Sequence, residues 1–276
     1  MAFHWLLLIS IAAGFVGAMT GMGGGIVLIP AMTLLGMNIK HAIAISIVSV
    51  IATSSGSASA YVRDRITNLK VGMFLEMFTI VGALVGAAVT LASGQSILFI
   101  LFGLILLVCS AALFLERREQ WQAPAHQDGF SRWLELDGRY YDQSAGATIR
   151  YRGVRAAWGG PLMFLAGLVA GMLGIGAGAL KVLIHDLVMG LPPKVSTTTS
   201  NLIIGVTALA GTSVYLAAGL IDPGLIAPVV LGIVLGSYFG AKLLVRLSNQ
   251  AVRWLFMGVL LVLGVEMIVR GITIAL

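Results

Sequence analysis

Charge is what this sequence has least of. Charged residues make up 10% of the 276, hydrophobic ones 59%, and the mean hydropathy is +1.01. An ordinary soluble domain carries about a quarter of its residues as Asp, Glu, Lys and Arg, so that class is excluded. Residues 1–36 and 41–62 hold none of the four, and 71–115 hold only Glu76. Each run exceeds the roughly 20 apolar residues that span a bilayer, which makes the chain a multispanning helical membrane protein.

Cysteine is nearly absent too: Cys109 stands alone, which excludes an intramolecular disulfide and a cysteine metal cluster. The sequence has no HExxH pair, no nucleophile–base arrangement and no paired-carboxylate helix, so no catalytic residue, metal site or cofactor is expected, and the chain reads as a non-enzyme. No basic residue precedes the first apolar run, which argues against a cleaved signal peptide. The formal charge of +6 would suggest nucleic acid for a soluble protein. Here it fits cytoplasmic loops, and no nucleic-acid partner is expected.

Glycine, by contrast, is plentiful and clustered. Residues 14–30 read GFVGAMTGMGGGIVLIP, and residues 167–181 echo them as GLVAGMLGIGAGALK. Gly21, Gly23, Gly24 and Gly25 interrupt the first apolar run; Gly174, Gly176 and Gly178 interrupt the second. Each glycine weakens a helix by roughly 1 kcal/mol and tolerates positive φ, so such clusters predict a break. Broken backbone survives in hydrocarbon only where protein or a water-filled cavity satisfies it, and two matched breaks point to a central site. A half-helix opening after each break, at Ile26 and Ala179, would present bare N–H groups and the positive end of its dipole to an anion. The competing reading is close helix packing, which suits the spaced Gly14, Gly17, Gly167 and Gly171 better than the clusters.

The two echoes belong to a longer duplication at a spacing near 154 residues. Gly36 matches Gly190, Lys40 matches Lys194, Ser46 matches Ser200, Tyr61 matches Tyr215, and Gly82 and Gly86 match Gly236 and Gly240. Each half holds a broken first segment (5–36, 157–190), then apolar runs at 41–62, 69–92 and 96–115, or 195–218, 222–246 and 252–274. If the broken segments cross the membrane, the basic residues split 11 against 5; if they fold back as hairpins of two short helices, the split is 14 against 2, with Lys40 and Arg270 the minority and Lys181 inside the membrane. The positive-inside rule prefers the hairpins. The fold expected is therefore all-α, with two inverted repeats of about five segments each, over 1–115 and 157–276, and both termini outside the cytoplasm. The connector 116–156 is cytoplasmic: its stretch from Glu116 to Arg155 holds 13 of the 28 charged residues, and LELDGRYYD and ATIRYRGVR alternate as a short β-hairpin would. It reads as an ordered linker, with a regulatory or partner-binding role as the alternative.

Polar residues inside the apolar runs are candidates for the site. Ser46, and Ser200 with Asn201 in the cluster Thr197–Asn201, could replace the hydration shell of an oxyanion without adding charge; helix capping and interhelical hydrogen bonds are the alternative. Lys181 could hold an anion's charge, and His185 or Asp186 could carry a proton, since intramembrane ionisable residues are functional candidates by default. Pairing of Lys181 with Asp186 or a carbonyl is the bland alternative. Glu76 and Glu266, without an obvious partner, are expected near helix ends and outside the site.

The segments GAMTGMGGGIVLIP, GLVAGMLGIGAGALKVL, LPPKVSTTTSNLIIGVTA and VVLGIVLGSYFGAKLL together resemble the sulfite exporter TauE/SafE family of membrane permeases. The resemblance implies a duplicated helical permease of the prokaryotic cell membrane that handles sulfur-containing anions such as sulfite or sulfonates. Ala177 departs from the family's usual third glycine, Leu183 from its usual proline, and Ile47 from the asparagine of the second half, which makes the site asymmetric. The function expected is export of a small anion by alternating access: an inside-negative potential favours outward movement by about 2.3 kcal/mol per charge per 100 mV. A proton-coupled anion importer is the first alternative, and a membrane-embedded enzyme or assembly factor the second; a metal-cation permease fits poorly with scattered methionines. The partners expected are the anion and the lipid bilayer, with a homodimer left open.

Overall fold

The long uncharged runs form helices because nothing else satisfies their backbone in hydrocarbon. The computed structural model describes residues 3–20, 24–63, 66–115, 123–142, 146–244 and 249–275. The first half contains α1 (Phe3–Thr20), α2 (Gly25–Leu34), α3 (Ile39–Arg63), α4 (Leu69–Ala92) and α5 (Gln95–Leu115). After the connector follow α7 (Ala156–Leu173), α8 (Gly178–Leu183) with a π-helical turn over Ile184–Val188, α9 (Pro193–Ala217), α10 (Pro223–Leu244) and α11 (Asn249–Ala275). Among the described residues α4, α7, α9 and the Met257–Ala275 part of α11 are each long and apolar enough to cross a membrane.

The helices are amphipathic by size more than by polarity. On α4, Gly72, Thr79, Gly82, Ala83, Gly86, Ala87 and Thr90 face inward, while Met73, Met77, Val81, Val85 and Val89 face outward. Small residues let backbones approach, which is how helices associate where lipid is as apolar as leucine. A Cβ on Gly86 would lie 2.9 Å from the carbonyl carbon of Leu168, one on Gly171 2.7 Å from that of Ala83, and one on Gly236 2.8 Å from that of Ile11.

These approaches also give helix directions. Gly82 meets Phe164 and Gly86 meets Met172, so α4 and α7 run parallel; Gly232 meets Leu7 and Gly236 meets Phe15, so α1 and α10 do the same. Gly103 meets Gly264 while Gly271 meets Ser96, which makes α5 and α11 antiparallel. Gly211 meets Ile47 and Gly205 meets Ser54, whose Oγ donates to the Asn201 carbonyl over 2.6 Å, so α3 and α9 are antiparallel as well.

The described arms on either side of each glycine cluster lie close together. The Val154 N–H, just before α7, donates to the Met189 carbonyl over 3.0 Å, so the path through α8 returns to where α7 began. In the first half a Cβ on Gly24 would sit 3.3 Å from the carbonyl oxygen of Ala13, nearly two turns back inside α1. Gly36 and Gly190 end the return arms at φ of +83° and +64°. The outgoing arms are not short, as the sequence had suggested: α1 and α7 have 18 residues each, against 10 for α2 and 6 for α8. The spaced glycines Gly14 and Gly167 lie against the backbones of Ile233 and Thr79 and do not interrupt their helices.

The connector carries α6 (Gly129–Trp133) and an antiparallel hairpin of β1 (Asp137–Asp142) and β2 (Ala147–Arg152), paired Asp137 to Arg152 through Asp142 to Ala147. Leu136, Tyr140 and Tyr151 bury themselves with Val71, Leu75, Met189, Leu191 and Val195 of the bundle. Tyr151 accepts a hydrogen bond from Asn68 Nδ2 at 3.0 Å, and Lys70 pairs with Glu135, whose carboxyl its hydrogen bond and charge hold below the usual range. Replacing Gly171 with Leu should break the α4–α7 contact and lower the yield and melting temperature of the purified protein. Gly258→Leu, which enters open space, should leave both unchanged in a size-exclusion and thermal-melt comparison.

Candidate functional site

The second break starts where α7 ends on Gly174, at φ +63°, and continues through Gly176 at +73°. Ala177 follows at φ +47°, so an alanine holds the left-handed conformation a glycine would hold without strain. The last carbonyls of α7 have no partner within their own helix. Side-chain hydroxyls from three neighbouring helices supply them. Tyr215 donates to the Gly171 carbonyl at 2.7 Å, Thr90 to Met172 at 2.8 Å and Ser46 to Gly174 at 3.0 Å, while Ser200 donates to Gly178, at the start of α8, at 3.3 Å.

The first break reaches the same place. Gly21 and Gly23 lie outside the described residues, but Gly24 and Gly25 open α2, with the Leu28 N–H donating to the Gly24 carbonyl at 3.0 Å. A Cβ on Gly25 would come within 2.7 Å of the Gly174 oxygen and 3.3 Å of the Ile175 Cα, with the Ser46 hydroxyl closer still. The two breaks therefore touch backbone to backbone, with the N-terminus of α2 against the end of α7. Gly24, Gly25, Ser46, Gly174, Gly176, Gly178 and Ser200 are gathered here. Both serines use their hydroxyl hydrogens on backbone carbonyls of the second break. Asn201 stands half-buried beside them, its carbonyl accepting from Ser54.

Lys181 is buried completely, and its hydrogen bond goes to a threonine hydroxyl. Its Nζ donates to Thr207 Oγ1 at 2.6 Å, and that hydroxyl lies 2.9 and 3.2 Å from Oε1 and Oε2 of Glu76. Thr79 Oγ1 donates to Glu76 Oε2 at 2.8 Å, and the ammonium attracts the carboxylate across the threonine. Glu76 thus sits two turns inside α4, only 7% exposed, and not at a helix end as the sequence had suggested. The signal available was its position as the one charge in 71–115; besides Thr79, its partners Lys181 and Thr207 lie on α8 and α9, more than a hundred residues away.

His185 is also fully buried, with Nδ1 3.3 Å from the Ser196 carbonyl and Nε2 without a hydrogen-bond partner among the described residues. Asp186, next to it, is half-buried. Lys181 and His185 both turn towards α9, but Thr207 and Ser196 are separated by roughly 16 Å along that helix at 1.5 Å per residue. The expected pair is therefore split between two levels, and Glu76 joins Lys181 where His185 does not.

The model of a family described as "Sulfite exporter TauE/SafE" matches residues 6–267. The chain is 26% identical over 280 residues to the probable membrane transporter protein YunE of Bacillus subtilis (strain 168), covering 99% of both chains. It is 27% identical over 239 residues to the probable membrane transporter protein YdhB of the same organism, covering 86% of each. No solved structure gives a significant match.

Breaking a buried ion pair from one side leaves the other charge without compensation and costs about 3–5 kcal/mol, whereas replacing both partners with apolar groups is much milder. Lys181→Met should therefore lower the melting temperature in detergent sharply, and Lys181→Met with Glu76→Leu should recover most of the loss.

Proposed function

The chain belongs to the sulfite exporter TauE/SafE family of membrane transporters, and we propose that it exports a small anion, a sulfur oxyanion or sulfonate, by alternating access of two inverted halves around the touching glycine breaks. The observation that carries this reading is the meeting of Gly25 with Gly174 and Ile175. The N-terminus of α2 brings bare amides and the positive end of a helix dipole to this point, a combination that binds anions with no cationic side chain in direct contact. Ser46 and Ser200 line it, Asn201 follows Ser200 on α9, and Lys181 lies four residues beyond Ala177.

Helix directions support the inverted arrangement. Equivalent helices of the two halves, α3 with α9 and α5 with α11, are antiparallel, as a two-fold axis in the membrane plane requires. Had both broken segments crossed the bilayer, these pairs would be parallel, and α4 and α9, which run parallel because Asn68 meets Thr199 and Glu76 meets Thr207, would be opposed. In this reading both termini face outward, 1–115 and 157–276 are the two moving bundles, and the connector 116–156 packs on the cytoplasmic ends of α4, α7 and α9 in the cell membrane.

An inside-negative potential then drives net negative charge outward by about 2.3 kcal/mol per charge per 100 mV, a roughly fiftyfold gradient. Proteoliposomes loaded with labelled sulfite and held at an imposed potential test this. At alkaline pH, where sulfite is doubly charged, efflux should accelerate when the interior is negative, and Gly25→Ala, which pushes a methyl group into the contact between the breaks, should reduce it at least tenfold while the protein stays folded. Efflux indifferent to voltage, or untouched by Gly25→Ala, contradicts the reading.

A further inference from the structure

The Lys181–Thr207–Glu76 cluster does more than neutralise a buried lysine. We propose that Glu76 is the internal counter-ion of Lys181 and the proton carrier of the transport cycle: a transported oxyanion takes its place at Lys181 and Thr207, and the displaced carboxylate takes up one proton from the water on the side from which the anion enters. This rests on the reading that the chain carries small oxyanions.

Geometry makes Glu76 a stand-in for such a substrate. A carboxylate presents two oxygens of the kind an oxyanion presents, and here those oxygens lie 2.9 and 3.2 Å from Thr207 Oγ1, whose one hydrogen is shared with the Ile203 carbonyl at 2.7 Å, and accept from Thr79 at 2.8 Å, beside the Lys181 ammonium. Two hydroxyls and an ammonium, all fully buried, are the donor set an oxyanion recognises. Lys181 is also tied to the break: it lies on α8, whose first residue, Gly178, is held by Ser200, and the Lys181 N–H donates to the Ala177 carbonyl at 3.1 Å. An anion arriving at the break therefore meets a cation whose place is already taken.

Displacement forces the proton. A carboxylate separated from its cation in this setting would be a buried, uncompensated charge, and such groups neutralise instead. Among the described residues the surroundings offer no other counter-charge. Helix α7, packed on the same face of α4, has no ionisable residue; α9 contributes Thr207, while its Lys194 and Tyr215 stand at opposite ends of the helix; and Lys181 of α8 is the charge that acts on Glu76. His185 lies one level away against Ser196. In the empty protein the pair is neutral; in the loaded one Lys181 holds the anion and Glu76 holds a proton. A doubly charged oxyanion then moves with one net negative charge, so the membrane potential still favours its exit, and a singly charged one moves without net charge.

The test is proton uptake on anion binding to the purified protein in weakly buffered detergent. Thiosulfate and methanesulfonate are suitable probes because neither carries an exchangeable proton near neutral pH. Wild type should take up about one proton per anion bound, and its infrared difference spectrum should lose a carboxylate band and gain that of a protonated carboxyl. Glu76→Gln should bind the anion at least tenfold more tightly with no proton uptake. Thr207→Val, a milder change, should bind more weakly and keep the proton. Anion binding by wild type without proton uptake, or equal uptake in Glu76→Gln, overturns the proposal and leaves the transport reading intact. Failure of sulfite, thiosulfate, methanesulfonate and small carboxylates all to bind overturns both.

Discussion

A peptide backbone interrupted inside hydrocarbon frees carbonyls and amides that no water can reach, and each unpaired group costs several kcal/mol. The structure is arranged around this constraint. The carbonyls of Gly171, Met172, Gly174 and Gly178 are each met by a hydroxyl, and the hydroxyls come from α3, α4 and α9. Three helices are thereby fastened to one glycine-rich turn, and the opposite turn is pressed against it at Gly25. A rearrangement of either break has to loosen these bonds, which couples a few glycines to the tilt of whole helices.

Much of this was legible in the sequence because a bilayer is a severe solvent. Uncharged runs placed α3, α4, α5, α9, α10 and α11 to within a few residues, and glycine clusters located both breaks, since clustering is what a continuous helix cannot absorb. Basic residues predicted that the broken segments turn back, and in the second half the Val154 N–H meets the Met189 carbonyl, bringing the end of the return arm beside the start of α7. The β-hairpin followed from strict alternation around a small-residue turn. Less legible were features that depend on which helices end up adjacent. Ser46 and Ser200 were read as lining a substrate site, and their hydroxyls hold backbone carbonyls there. Glu76 looked partnerless because its partners, Lys181 and Thr207, are remote in the chain. Ala177 looked like the loss of a glycine, yet the backbone keeps the glycine conformation at that position.

Placement of charge completes the picture. Lys40 and Arg270, the two basic residues set apart from the rest by the predicted topology, each reach a helix C-terminus: Lys40 Nζ donates to the Leu91 carbonyl at 2.7 Å and Arg270 to that of Thr33 at 2.9 Å. Cations at C-termini complement the helix dipole, so both have a local structural reason to be where they are. Lys181 has no such helix end to serve. It is buried beside Glu76 between α4, α8 and α9, where a charge is hardest to keep and most responsive to an arriving anion.

The central claim is that both glycine-broken segments return to the side from which they entered, so that the two breaks meet between opposed halves. Single cysteines at Asn38 and Lys194, just past the two return arms and in a background with Cys109 replaced by serine, test this directly when probed with a membrane-impermeant thiol reagent in intact cells and in inverted vesicles. The account predicts labelling of the two positions from opposite sides of the membrane. Labelling of both from the same side would mean that the broken segments cross, and would contradict it.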